Sequence, residues 1–271
     1  MLITKSNNCP KCGGGHSNQC FVVYDNGEHC FSCGYSKSTN SNNFAFKAPP
    51  NIFRQLVFPE GMTNNYNEFS LDILKYLGKF YINKQHVYRH KIMFVPDSSF
   101  TTKAGLSFTG ESLLFLNKDA ETVHGYQRRF FPHKNIISVG DFNIPCLLVP
   151  EQENIKKTVC IVEDYISAVR LSDIVPTICL FGTSLKSSVL SKLLEFDNIL
   201  IWLDGDIPGQ EAAKKISRKL YDIIKYNQQT TPYKPVNYRI SNIATELDPK
   251  CYSNTELNFY LKDLINDSVK I

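Results

Sequence analysis

Asn198-Ile-Leu-Ile-Trp-Leu-Asp204-Gly-Asp206-Ile-Pro-Gly-Gln210 joins a continuous apolar run, two carboxylates and the start of a helix-like stretch. Thr158-Val-Cys-Ile-Val-Glu163-Asp-Tyr-Ile-Ser-Ala168 is built the same way. An unbroken apolar strand followed at once by a helix implies a parallel sheet covered on both faces. Ligands of such sheets gather at the carboxyl ends of the strands, near a topological switch point. Glu163, Asp204 and Asp206 therefore meet there, with no basic residue close in sequence to neutralise them. Such a cluster repels itself unless a hard divalent cation sits in it, and Mg²⁺ takes carboxylate oxygens together with water and phosphate. The chemistry indicated is metal-assisted work on phosphates. The bland alternative, a set of helix N-caps and first-turn acids, suits Asp164 best.

Working outward, strand and helix alternate across the C-terminal half. Strands are expected at 159–162, 177–181, 199–203 and 236–240, with helices near 165–171, 185–195 and 210–225 and a last one over 253–267. The stretch from about 53 to 150 reads as α+β. Residues 71–77 have helical spacing behind Ser70 as N-cap, and 91–95, 112–116 and 124–127 read as strands. His124-Gly-Tyr-Gln-Arg128-Arg129-Phe-Phe-Pro-His-Lys134 mixes cations with aromatics, and Tyr126 or Phe130 could stack on a base. Gly182-Thr-Ser184 follows a strand end and is a candidate lining of the same site through backbone N–H groups. The chain contains no Gly-x-x-x-x-Gly-Lys-Ser/Thr phosphate loop, so it has no helicase motor of its own.

At the other end, Cys9-Pro-Lys-Cys12 and Cys30-Phe-Ser-Cys33 are two C-x-x-C knuckles at the spacing of a four-cysteine zinc ribbon. Each turn presents two thiolates to one tetrahedral Zn²⁺. The stretch 19–30 reads as a hairpin with Asn26-Gly27 at its turn. His16, Cys20 and His29 are rival ligands, ranked lower because Cys20 falls on the strand and neither histidine pairs at knuckle spacing. Ser-Lys-Ser-Thr-Asn-Ser-Asn-Asn43 and Lys47-Ala-Pro-Pro-Asn51 mark a flexible linker.

The 271 residues accommodate one small module and further domains, and 42% hydrophobic content suffices for a core. No apolar run is long enough to span a membrane, and nothing at the N-terminus resembles a secretion signal. Cys146, Cys160, Cys179 and Cys251 sit mostly in apolar contexts, as reduced core thiols of a cytoplasmic protein do. A net charge of +4 means that a nucleic-acid partner would be met by local basic patches.

The Glu-ended strand and the Asp-Gly-Asp-x-x-Gly run resemble the Toprim domain of DNA primases, topoisomerases and related nucleases. Ribbon, linker and Toprim core in that order are similar to DnaG-type primases, the primase half of phage primase–helicases above all. The fold class expected is α/β. It comprises a zinc ribbon at 1–36, a linker at 37–54, an α+β subdomain of an RNA polymerase core at 55–154 and a Rossmann-like Toprim sheet at 155–271. One pattern departs from the family: primases often have Glu-Gly-x-x-Asp after the first strand, where this chain has Glu163-Asp-Tyr-Ile-Ser167.

The resemblance implies a DNA primase, an enzyme joining ribonucleotides on single-stranded DNA. Glu163, Asp204 and Asp206 would be its catalytic, Mg²⁺- or Mn²⁺-holding residues, and Cys9, Cys12, Cys30 and Cys33 would hold one structural Zn²⁺. Asp248, in Glu246-Leu-Asp-Pro-Lys250, resembles a late primase segment and would add a metal contact, though it reads equally as a turn acid before Pro249. Arg128 and Lys134, with Arg89 and Arg129, would contact nucleotide phosphates, where a planar guanidinium donates two hydrogen bonds at once. A separate helicase and DNA polymerase would be partners, in an infected bacterial cell if the protein is phage-encoded. The rival from another class is a metal-dependent Toprim nuclease.

Overall fold

Every residue of the strand Thr158–Val162 is buried, and consecutive side chains enter different cores. Cys160 and Val162 pack with Leu200 and Trp202, while Val159 and Ile161 pack with Ile199, Ile201 and Leu203. That is the double coverage an unbroken apolar run demands, since successive side chains of a strand point to opposite faces.

The computed structural model describes residues 2–6, 9–13, 21–24, 27–30, 35–38, 56–101, 105, 107–119, 122–132, 135–151, 157–230 and 238–266. His16, Cys20, Asn26, Cys33, Lys134 and the 39–54 part of the expected linker lie outside the described residues. Contacts divide the chain into two units, Met1–Phe53 and Arg54–Ile271.

In the first unit, β1 (Leu2–Ser6), β2 (Phe21–Tyr24), β3 (Gly27–Cys30) and β4 (Ser36–Ser38) form an antiparallel sheet in that order. Tyr24 pairs with Gly27, so the expected hairpin forms, but Gly27 is the first residue of β3 and not the second residue of the Asn26-Gly27 turn. The first knuckle is a tight turn in which Gly13 N–H donates to the Cys9 carbonyl at 2.8 Å. Gly13 has φ +70°, a left-handed conformation that costs glycine nothing. Cys9 is buried against Phe21, with Val23 and Tyr35 beside it.

The second unit starts with α1 (Leu71–Lys79) and α2 (Lys84–Arg89). Ser70 caps α1 by accepting from Ile73 N–H at 3.3 Å, as its sequence predicts. Next come β5 (Met93–Thr101), β6 (Ser107–Asp119), β7 (Thr122–Phe130) and β8 (Ile136–Gly140), an antiparallel meander. β9 (Cys146–Leu148) is followed by β10 (Thr158–Val162), α3 (Tyr165–Leu171), β11 (Thr177–Cys179), α4 (Ser187–Leu193) and β12 (Asn198–Ile201). α5 (Ile207–Thr230), β13 (Arg239–Asn242) and α6 (Asn254–Asn266) complete the order.

Five strands form the central sheet in the order β13-β12-β10-β11-β9, parallel except for β9. α3 and α6 cover one face, with Ala168, Val169, Leu257 and Leu261 in that core. α4 and α5 cover the other, with Val189, Leu193, Ala213 and Leu220. β9 precedes the subdomain boundary expected at 155, yet it hydrogen-bonds to β11 as the last strand of this sheet. The first core also takes in Ile73, Leu77, Phe94, Leu113 and Phe115, so the meander and the central sheet share one apolar interior.

Candidate active site

β10 and β12 are paired in parallel, with Ile161 opposite Ile201, so their carboxyl ends open at one edge of the sheet. Glu163 follows β10; Asp204 and Asp206 follow β12 and precede α5. The backbone of Glu163 is fixed by Gly182 N–H, which donates to its carbonyl at 3.0 Å. That N–H is thereby used within the fold, where the sequence had offered it as a lining group.

Gly205 fits because there is no room for more: a Cβ would lie 2.4 Å from the Glu246 carbonyl oxygen. Its N–H donates to Asp248 Oδ1 at 3.2 Å, which ties the Asp204–Asp206 turn to the late segment. Asp206 Oδ1 accepts from Gly209 N–H at 2.8 Å and so caps α5. Asp164 caps α3, accepting from the N–H groups of Ile166 (2.9 Å) and Ser167 (3.1 Å). Its Oδ2 also takes the Ser167 hydroxyl at 2.6 Å.

The sequence leaves the acids without a counter-charge; the fold supplies one. Lys250, on the 3₁₀ turn Pro249–Cys251, places Nζ 2.7 Å from Asp248 Oδ2, 3.0 Å from Asp164 Oδ2 and 3.8 Å from Asp204 Oδ2. Buried Arg170 of α3 donates to the Tyr252 carbonyl at 3.0 Å and holds that turn in place. Only the Asp-Pro-Lys wording around Pro249 hinted at this ammonium. Two of its three partners, Asp164 and Asp204, lie 86 and 46 residues away in the chain, beyond the reach of any local pattern.

Electrostatics mark the cluster. Burial pushes the Asp204 carboxyl up to about 7; Lys250 opposes this, while Asp164, Asp248 and Glu163 add to it. Burial raises the Glu163 carboxyl, and the negative charges of Asp206 and Asp164 raise it further. Asp204 Oδ1 is buried with no hydrogen-bond partner. An all-carboxylate donor set with an orphaned buried oxygen suits Mg²⁺ or Mn²⁺. Among the described residues, no three acidic, histidine or cysteine side chains converge on a single ligand point. Asp164, Asp204 and Asp248 point at the ammonium instead. In the first unit, Lys11 N–H donates to Cys9 Sγ at 3.4 Å, so the knuckle turn directs a backbone N–H at its first sulfur.

The four basic candidates part company. Arg128 is 1% exposed. Its Nε donates to Ser112 Oγ at 2.8 Å, a second nitrogen meets Ser98 Oγ, and the guanidinium lies over Phe130. The phosphate contact expected of it gives way to burial, because β7 continues through Phe130. Period two then puts Arg128 on the same inward face as Tyr126 and Phe130. The same burial takes both rings away from base stacking. Arg89 is likewise occupied, donating to Asp173 at 2.8 Å, Val149 O at 2.6 Å and Ser172 O at 2.9 Å.

Arg129 points to the other face of β7. Its guanidinium sits 4.7 Å over the Tyr76 ring and 5.7 Å from Phe131, with Nε lacking a hydrogen-bond partner. The Tyr76 hydroxyl, raised by burial, is lowered by Arg129, raised by Asp164 and lowered by Lys250. Tyr76 also packs edge-on against Phe80 at 5.3 Å, and Lys250 Nζ lies 5.9 Å from the Phe80 ring, so a line of contacts runs from Arg129 to the lysine of the cluster. Of the described basic candidates, Arg129 is the one the fold brings toward the cluster.

Comparison with known proteins agrees with this architecture. Residues 157–229 match the Toprim domain family. The zinc-binding and RNA polymerase domains of the Aquifex aeolicus primase superpose with a TM-score of 0.55 at 16% identity, covering 98% of this chain and 80% of that one. A DNA primase domain from Pseudomonas aeruginosa gives 0.52 at 13% identity, over 70% and 71%. The primase fragment of the bacteriophage T7 primase–helicase gives 0.44 at 16%, over 98% and 99%. By sequence, no curated protein matches the chain. The chain thus carries a Toprim domain within a fold it shares with DnaG-type primases.

Proposed function

We propose that this protein is a DNA primase, a nucleotidyltransferase that builds short RNA on single-stranded DNA. The observation that carries the reading is the carboxylate cluster of Glu163, Asp204 and Asp206 at the open edge of a Toprim sheet, with Arg129 linked to its lysine through the Tyr76 and Phe80 rings. Acids that hold a cation on one side and a guanidinium with a free N–H on the other form a receptor for a polyphosphate.

Glu163, Asp204 and Asp206 would hold Mg²⁺ or Mn²⁺, which when bound neutralises phosphate charge and lowers the barrier to attack on phosphorus. Arg129 orients the triphosphate, and Tyr76 fixes the guanidinium plane. Gly205 and Gly209 keep the turn tight enough for both aspartates to face one space. The 3′-hydroxyl of one nucleotide then attacks the α-phosphorus of the next, and pyrophosphate leaves. Asp248 serves the site by receiving the Gly205 N–H and the Lys250 ammonium.

Cys9, Cys12, Cys30 and Cys33 would hold one Zn²⁺, and the first unit would present the template. A separate replicative helicase and a DNA polymerase are the expected partners, and phage DNA replication in the cytoplasm of a bacterial host is the expected setting. No described helix is long and apolar enough to cross a membrane.

The test is incubation with single-stranded DNA, labelled ribonucleotides and Mg²⁺ or Mn²⁺. Short labelled RNA is expected. Shortened DNA instead would identify a Toprim nuclease, and neither product would leave a nucleic-acid binder.

A further inference from the structure

Three carboxylates from three separate segments converge on one nitrogen. Asp164 comes from the end of β10, Asp204 from the end of β12 and Asp248 from the 3₁₀ turn, and Lys250 Nζ meets them at 3.0, 3.8 and 2.7 Å. The Lys250 side chain is 15% exposed, so this is an enclosed ammonium rather than a surface ion pair. Asp164 is held for the contact from behind, by the Ser167 hydroxyl at 2.6 Å and two helix N–H groups.

The other carboxylates differ. Among the described residues, Glu163 and Asp206 form no ion pair, and Asp204 keeps one buried oxygen without a partner. The cluster therefore has two sides: one neutralised within the chain, one still short of positive charge. Phosphoryl-transfer sites that use two cations hold them about 3.5–4 Å apart, and an Mg²⁺ needs oxygens at about 2.0–2.1 Å in near-octahedral array. An ammonium bonded to Asp164 and Asp248 takes up the oxygens a second ion would need.

We propose that Lys250 is a resident cation standing in for a second metal ion, so that the site takes one divalent ion, on the Glu163, Asp206 and Asp204 side. This inference rests on the reading of the cluster as metal-dependent. Lys250 is then a positioning residue. It sets the spread of the carboxylates and fixes how many ions they admit, and it adds one permanent positive charge beside the phosphates.

The experiment is Mn²⁺ titration of the zinc-loaded full chain, with bound ion counted by electron paramagnetic resonance and the D204N/D206N variant as background. Wild type is expected to bind about one Mn²⁺ above background. K250Q frees the Asp164 and Asp248 oxygens and is expected to bind about two, with melting lowered in chelator and restored by Mn²⁺. K250Q/D164N, which removes the repulsion as well as the ammonium, is expected to return to about one and to melt normally in chelator. Two ions on wild type, or an unchanged count on a folded K250Q, would overturn the inference while leaving a metal-dependent site intact. No Mn²⁺ above background on wild type would overturn the metal-dependent reading itself, and this proposal with it.

Discussion

Replacing Gly205 with alanine puts a methyl carbon 2.4 Å from the Glu246 carbonyl oxygen, 2.6 Å from its carbon and 2.8 Å from the Thr245 carbonyl oxygen. All three neighbours are backbone, so no side chain can swing aside. Ordinary contact begins near 3.4 Å, so the Asp204–Asp206 turn and the 245–248 segment must separate by about 1 Å. Overpacking of this size costs about 1–3 kcal/mol, which lowers the melting temperature by about 3–10 °C in a unit of this length. The same separation breaks the 3.2 Å bond from Gly205 N–H to Asp248 and draws Lys250 away from Asp204. A displacement of about 1 Å in reacting groups costs on the order of a hundredfold in rate. Gly205→Ala should therefore fold, melt slightly early and make dinucleotide on the order of a hundredfold more slowly. Gly78→Ala is the control, since that glycine sits in α1 with nothing within 4 Å of the added methyl. It should gain about 0.4–1 kcal/mol and keep full activity. A Gly205→Ala protein with wild-type melting and rate would refute the packing of these two segments against each other.

Asp204→Ala and Asp206→Ala should each abolish dinucleotide synthesis in protein that remains folded by circular dichroism. Arg128→Ala should cost about 2–4 kcal/mol in urea unfolding, because it empties a buried volume and strands the fully buried Ser112 hydroxyl. Arg129→Ala should leave stability nearly unchanged and raise KM for nucleotide instead. His90 is buried against Ser172, and burial, reinforced by the charge of Arg89, lowers its pKa to about 3. The unfolded chain then binds a proton that the folded chain refuses. The stabilisation is full above pH 6.5 and is lost as pH falls toward 3, by about 2 kcal/mol at pH 5. His90→Gln should flatten that part of the stability–pH curve. A Cys30→Ser/Cys33→Ser double variant should lose its zinc by elemental analysis; full retention would move the ligands to His16, Cys20 or His29.

The sheet was legible because fully buried strands leave a coarse mark. The runs before Glu163 and Asp204 are unbroken apolar stretches, and β10 and β12 sit there within a residue or two. β9 left no such mark. Three residues in antiparallel pairing at a sheet edge carry neither a run nor an alternation long enough to read. The carboxylates were visible because strand ends position them; Lys250 and Arg170 were not, since tertiary packing brings them in from distant segments. The arginines teach a narrower lesson. Ending the strand at 127 hid the parity of Arg128 with Tyr126 and Phe130, and that parity alone separates the buried guanidinium from the one facing the site. Arg89 was drawn away by Asp173, 84 residues along the chain, which no local pattern signals.

Trp202 is the only tryptophan of the chain and lies two positions before Asp204. It is fully buried, with Tyr252 at 5.8 Å, Tyr260 at 5.3 Å and its indole N–H on Thr245 Oγ1 at 2.8 Å. Thr245 in turn donates to the Leu247 carbonyl, one residue ahead of Asp248. The indole thus touches both ends of the segment that carries Asp248 and Lys250. A dry indole emits at the short-wavelength end of its ultraviolet range, and its emission maximum and lifetime follow its hydrogen bond and its ring neighbours. The protein therefore carries an intrinsic optical gauge of its own site: a displacement of residues 245–252 reaches its single indole, which reports it without a label.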